Sequence, residues 1–247
     1  MQPEPRAFGS QRPMWIDLLQ VLVDRIVTGQ YAPSELLPTE AQIGAEFGVS
    51  RSVVREAVKV LIEKGLARID RGNGTLVADR RLWRSLDPLV LTARLRGPDR
   101  IDVLHELFVL RRSIEPELAA VAAGKASSEA LVQLSVRMHD LVELMDQPNK
   151  YAVADLAFHQ AIVEMAGVGL AQELFDTISE PLTVSRELTN QISGALENAH
   201  AHHLEIFDRI RDRDVAGARA AMSTHIHWAE DHLPPATPTA THTPGQN

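Results

Sequence analysis

Between Thr39 and Ala78 helix starts and stops follow one another so closely that only short elements fit between them. Thr39, with Gln42 three residues on, is a capping box that opens a helix over 39–47. That helix offers Ile43 and Phe47 for burial and stops at Gly48. Ser50 caps a further helix running to Lys64, with Gly65 at its C-terminal stop. Two β-like pieces follow, Leu66–Asp70 and Thr75–Ala78, joined by RGNG, whose Asn73-Gly74 is a hairpin signal. Upstream, Trp15, Leu18, Leu19, Leu22 and Ile26 keep helical spacing over 14–29, and Gly29 and Pro33 end that helix.

Helix, short helix, tight turn, helix and hairpin is the plan of a winged helix-turn-helix. In that plan the start of the second helix of the pair meets base edges in the major groove. Here the start reads Ser50-Arg51-Ser52-Val53-Val54-Arg55. Arg51 and Arg55 are one turn apart and can offer a bidentate fork to guanine or grip phosphate. Ser50 and Ser52 can bond phosphate or bases. Val54, Ala57, Val58 and Leu61 form the packing face. The wing tip carries one cation, Arg71, beside the small Gly72. A solvated basic helix with an ordinary hairpin is the competing reading, since the same geometry occurs without DNA.

Charge supports the first reading. The chain of 247 residues has a net charge of −8, which is unpromising for a polyanion partner. Yet residues 50–81 hold 8 Lys/Arg against 4 Asp/Glu, so positive charge is concentrated on one short stretch. There are no cysteines, which excludes a disulfide scaffold, a thiolate zinc finger, an iron–sulfur centre and a cysteine nucleophile. No apolar run approaches the ~18 residues of a membrane span, and the N-terminus has no apolar core of a secretory signal. A cytoplasmic protein without membrane association is expected.

The expected organisation is a flexible N-terminal tail at 1–12, a winged helix-turn-helix domain at 13–80, and a linker at 81–88. A domain of helices over 89–232 and a disordered Pro/Thr-rich tail at 233–247 follow. Helix breaks are expected near Gly97-Pro98, Gly124–Ser128, Gln147–Asn149, Gly167–Gly169, Ser193–Gly194 and Asp214. The fold class is mainly α, a winged head with a small β-hairpin followed by an all-α bundle.

Several of these helices carry polar residues on their apolar faces. A helix turns roughly 100° per residue. Over 151–166 this aligns Tyr151, Ala152, Phe158, Ile162, Val163, Met165 and Ala166, with Asp155 and His159 in their midst. His203 shares a face with Leu196, Ala199, Ile206, Phe207 and Ile210, and His225 lies with Ala218, Ala221, Met222, Trp228 and Ala229. His227 points away and serves as an internal control. Three histidines and one aspartate looking inward are costly unless paired or bound to metal. Neutral imidazoles with a carboxylate suit a divalent ion, with Zn first and Ni or Mn as alternatives. Separately satisfied core polar residues remain the competing reading. On the helix around 101–122, Arg111 and Glu115 lie within an apolar face. They form either a buried i,i+4 ion pair or a site where Arg111 clamps a ligand carboxylate. Arg186 is a second candidate for that clamp.

The stretch YAPSELLPTEAQIGAEFGVSRSVVREAVKVLIEKGLARIDRGNGTLV resembles the winged helix-turn-helix of GntR-family regulators through Leu37-Pro38-Thr39-Glu40, Gly48–Arg51, Val54–Ala57 and its Gly-containing wing. The resemblance implies DNA contacts at Ser50, Arg51, Ser52, Arg55, Arg71 and Gly72. Ala41 stands where many relatives carry an operator-reading Arg, and Ser34 where a Gly is common. The C-terminal part resembles the FCD domain of the FadR subfamily through LRRSIEPELAAVAA, DLAFHQAI, HLEIFDRIRDRD and AMSTHI. That resemblance implies metal ligands at Asp155, His159, His203 and His225, the four selected by counting faces. It also implies a small carboxylate effector and a homodimer, with SLDPLVL and VSRELT loosely like sugar-acid-responsive repressors.

The leading expectation is therefore a repressor bound to a pseudo-palindromic double-stranded operator and controlled by an organic acid. A metal sensor, in which the ion is the signal, is an alternative. A metal-dependent enzyme is less well supported, because His105-Glu106 is followed by Val109 where HExxH needs a second histidine.

Overall fold

The computed structural model describes residues 13–190 and 194–233, so the expected tail at 1–12, and that at 233–247 apart from Leu233, lie outside the described residues. The chain divides into two compact units, one up to Ala93 and one from Arg94.

In the first unit, helix α1 (Met14–Val27) buries Leu18, Leu19, Leu22 and Ile26, the stripe expected from their spacing. Helix α2 (Glu40–Phe47) opens on the Thr39 capping box, with both reciprocal hydrogen bonds present. It ends at Gly48 in the left-handed conformation, φ 66°, a geometry that costs most side chains about 1–2 kcal/mol. Helix α3 (Arg51–Glu63) follows, buries Val54, Ala57 and Leu61, and is capped by Ser50. Full burial of each such aliphatic chain contributes roughly 1.5–3 kcal/mol. Strands β1 (Ala67–Asp70) and β2 (Gly74–Val77) pair antiparallel with Ala67 opposite Val77 and Asp70 opposite Gly74.

The hairpin differs from its expected turn. Arg71, Gly72 and Asn73 form a three-residue loop, and the positive φ angles fall on Gly72 (92°) and Gly74 (124°), not on Asn73. Asn73 instead uses its side-chain amide to donate to Asp70 Oδ2 at 2.9 Å. A second feature is invisible to periodicity. Residues 34–37 run along β2: Ser34 N donates to Val77 O (2.9 Å), Leu37 N donates to Thr75 O (2.8 Å), and Val77 N donates to Glu35 O (2.9 Å).

The first unit runs through 81–88 and on to Ala93. A 3-10 turn spans Arg80–Leu82, Trp83 is buried, and Lys64 Nζ bonds Asp87 Oδ2 at 2.5 Å. Val90 and Ala93, from helix α4 (Pro88–Arg96), also belong to the first unit's core. Apolar side chains thus continue through the expected linker and hold it to the head.

The second unit is built from α5 (Arg100–Lys125), α6 (Ser128–Glu143), α7 (Pro148–Ala166), α8 (Gly169–Thr189), α9 (Ala195–Arg211) and α10 (Val215–Asp231). Its breaks lie where Gly, Pro and capping residues placed them. Helix α5 packs against α7, α9 and α10, and α7 also packs against α6 and α8. Among the described residues no helix is long and apolar enough to cross a membrane.

Candidate functional site

The first unit displays its basic residues on the start of α3. Ser50 Oγ accepts from Val53 N at 3.4 Å and lies 2.9 Å from Ser52 Oγ. Arg51, Ser52 and Arg55 are exposed, while Val54 and Ala57 on the other face of the helix are buried. The helix start therefore presents two guanidiniums and a serine hydroxyl to solvent from a buried base, an arrangement suited to a phosphate backbone. Arg55 is held by Glu40 of α2, with Nη2 3.0 Å from Oε2 and Nε 3.3 Å from Oε1. This hydrogen-bonded pairing raises the guanidinium's pKa and lowers the carboxyl's. Arg71 and Gly72 are exposed at the wing tip. A cleft of about 530 Å³ is bordered by Pro38–Glu40 and Gln42, by Val58, and by Asn73–Thr75. The wing and the two helices thus face one concavity. Ala41 is exposed beside it.

The second unit buries the polar residues that face counting singled out. His159 (α7), His203 (α9), His225 (α10) and Asp155 (α7) are 1%, 0%, 3% and 4% exposed. The control residue, His227, is exposed, with Nδ1 2.7 Å from Ser223 O. One ring nitrogen from each of the three buried histidines lies within 4.8 Å of the others. Asp155 Oδ2 is 3.4 Å from His203 Nε2, and Oδ1 is 3.6 Å from His159 Nε2.

Burial determines the charge states. Desolvation lowers the pKa of all three imidazoles, that of His203 to about 3. They are therefore neutral and keep a lone pair to offer. Burial opposes ionisation of Asp155, but the guanidinium of Arg186, with a smaller contribution from Arg111, holds its carboxyl below the usual range. Glu115 is likewise kept ionised against its burial by Arg111 and His159.

Nε2 of His159, Nε2 of His203 and Nδ1 of His225 have no hydrogen-bond partner. Glu115 Oε2 lies 2.6 Å from His159 Nδ1, a contact that helps to hold the carboxyl ionised and leaves Nε2 as the ring's open nitrogen. Each such buried group costs about 1–3 kcal/mol. A divalent cation would take one nitrogen from each ring, and a set of imidazoles with one carboxylate suits Zn, Ni or Mn. The donor set fits.

Arg111 is buried, and Glu115 engages it at Nε (2.6 Å) and at Nη2 (3.5 Å). Of the two readings open for Arg111, the ion pair is the one present. Arg186 is also buried, with Nε on Asp155 Oδ1 and Nη1 donating to Leu182 O at 3.4 Å. Two contributions escaped sequence reading. Tyr151, counted only as apolar, lies with its hydroxyl 3.4 Å from His203 Nδ1. Glu115, read only as a partner for Arg111, reaches His159. Tyr151, Asp155 and His159 form an i, i+4, i+8 stripe that could have flagged the first.

Comparisons with known proteins agree with this architecture. Residues 17–77 match the model of bacterial regulatory proteins of the gntR family, and residues 106–227 match the FCD domain. The galactonate operon transcriptional repressor of Escherichia coli is 30% identical over 203 residues, 82% of this chain and 89% of that protein. The Uxu operon transcriptional regulator of the same species is 27% identical over 92% of this chain and 89% of its own length. LutR of Bacillus subtilis is 25% identical over 84% of this chain and 95% of its own. The solved structure of Lar, which controls expression of the Listeria monocytogenes agr system, superposes with a TM-score of 0.61 at 17% identity. It covers 91% of this chain and 98% of that one, which bears on the fold alone. With a winged head, an FCD domain and these relatives, the chain belongs to the GntR family of bacterial transcriptional regulators, in its FadR-like branch.

Proposed function

We propose that the chain is a cytoplasmic homodimeric repressor whose DNA affinity is set by a small carboxylate bound beside a metal in the helical domain. The observation that carries the reading is the convergence of His159, His203 and His225 with unpartnered ring nitrogens next to Asp155. Asp155, His159, His203 and His225 would hold the ion, Zn first and Ni or Mn otherwise. The bound ion supplies a Lewis-acidic anchor for a carboxylate oxygen. Arg186 and Arg111 supply the guanidiniums that a carboxylate pairs with.

A relative is named for the galactonate operon, and galactonate is a sugar acid, so sugar acids head the effector classes. Ser50, Arg51, Ser52, Arg55, Arg71 and Gly72 would contact the operator. In a dimer two heads would meet two half-sites of a pseudo-palindrome. Because the coupling is a free energy shared by two sites, operator DNA must change effector affinity by the factor by which effector changes DNA affinity.

Metal analysis of the purified protein together with operator titration tests the reading. The wild type is expected to carry about one ion per chain and His203→Ala to carry little. Equal metal content in the two proteins removes the site. Operator affinity that follows free metal with no organic acid present makes the ion itself the signal.

A further inference from the structure

Asp155 is placed between two claimants. On one side its Oδ1 takes the Arg186 Nε, from α8. On the other, Oδ1 and Oδ2 lie 3.6 and 3.4 Å from His159 and His203 Nε2, the nitrogens a cation would use. Asp155 and Arg186 are both buried, so little water screens the pair. A carboxylate committed to a guanidinium donates less to a metal, and the guanidinium's own charge repels a dication a few ångströms away.

The charge balance points the same way. Arg111 and Arg186 are matched by Glu115 and Asp155, and the three histidines are neutral. A divalent cation would therefore enter a buried cluster in which, among the described residues, each carboxylate is already matched by a guanidinium. Arg111 is engaged at two nitrogens by Glu115. Arg186 is the guanidinium whose partner the cation also wants. An incoming carboxylate that pairs with Arg186 would both add negative charge and leave Asp155 to the ion.

Building on the metal reading above, we propose that Arg186 restrains metal binding by holding Asp155, and that a carboxylate seated on Arg186 releases Asp155 to the cation. Arg186 is then a positioning residue for the metal as well as a seat for the acid. Cation and acid bind cooperatively through one exchanged ion pair.

The test uses the full-length protein and Ni²⁺ alone, titrated against a chelating fluorophore. The proteins are wild type, Arg186→Met, Asp155→Asn and the double variant, each checked for folding by its far-ultraviolet spectrum and melt. Arg186→Met is expected to bind Ni²⁺ about ten-fold tighter than wild type, a coupling of the size found between contacting residues. Asp155→Asn is expected to weaken Ni²⁺ binding in the wild-type background, where Arg186 is left unmatched, and to weaken it further still in the Arg186→Met background, cancelling the gain. Unchanged or weaker binding by Arg186→Met overturns the proposal, as does an equal cost of Asp155→Asn in both backgrounds. Should Arg186→Met fail to fold, wild type and Asp155→Asn are titrated with and without excess sodium acetate. Acetate is expected to tighten Ni²⁺ binding by wild type and not by Asp155→Asn, and an unchanged wild-type affinity overturns the proposal. His203→Ala is the separate control. If it binds Ni²⁺ as wild type does, the metal reading itself fails, whereas its loss of Ni²⁺ alongside an unresponsive Arg186→Met rejects only the exchange.

Discussion

The Arg55 guanidinium lies against the Glu40 carboxylate, Nη2 3.0 Å from Oε2 and Nε 3.3 Å from Oε1, and so joins α3 to the first residue of α2. The pair is exposed, and exposed pairs add little to stability. Its consequence is for Arg55's aim: the carboxylate fixes a long side chain where the free residue would sample many rotamers.

Glu40→Ala is therefore expected to leave the melting temperature unchanged while narrowing the gap between operator and random-sequence affinity. Arg55→Ala should narrow it further, by about ten-fold or more if the guanidinium reads a base. Anisotropy titrations on both DNAs measure the ratio. A ratio unaffected by either change would place the recognition surface elsewhere.

Arg71 is exposed at the wing tip beside Gly72. Arg71→Ala is expected to weaken binding about equally on all sequences and to reduce the salt slope by about one, as for loss of a single phosphate contact. Loss of affinity for the operator alone would assign Arg71 to base reading.

Ser34 adopts φ 68°, in the left-handed region, while its N–H donates to Val77 O. A Cβ there costs about 1–2 kcal/mol, offset in part by the greater chain entropy of glycine. Ser34→Gly should stabilise the head by about 1 kcal/mol, visible as a higher denaturant midpoint at unchanged slope. A lower midpoint would mean that the Ser34 side chain contributes more than its backbone costs.

Arg111 and Glu115 form a buried pair. Arg111→Met alone leaves a buried carboxylate uncompensated and is expected to cost about 3–5 kcal/mol, whereas replacing both by apolar residues of similar size should cost far less. Chemical denaturation of the two variants compares them. Equal losses would show that Arg111 stabilises through something other than Glu115.

The short elements of the head were legible because each boundary carries its own local signal: Thr39 and Gln42, Gly48, Ser50, Gly65. Burial of Asp155, His159, His203 and His225 was legible because helical periodicity fixes which residues share a face. What lies beyond periodicity was not. The pairing of residues 34–37 with β2 depends on a loop folding back, and the hairpin's left-handed residues were set by the three-residue loop. The partners of Asp155 and of His203, namely Arg186 and Tyr151, are 31 and 52 residues away in sequence. Trp83 read as linker because its neighbours are polar, yet its ring is buried and its Nε1 donates to Ala78 O at 3.2 Å.

The central claim is that chemistry at the buried histidines governs DNA binding by the head. It is tested most directly by the affinity of wild type and His203→Ala for DNA from upstream of the chain's own gene, across a panel of sugar acids. The account predicts that at least one acid weakens wild-type binding by about ten-fold, within the usual range of allosteric coupling, and leaves His203→Ala unmoved. Identical responses from the two proteins, or a wild type that no acid moves, would contradict it.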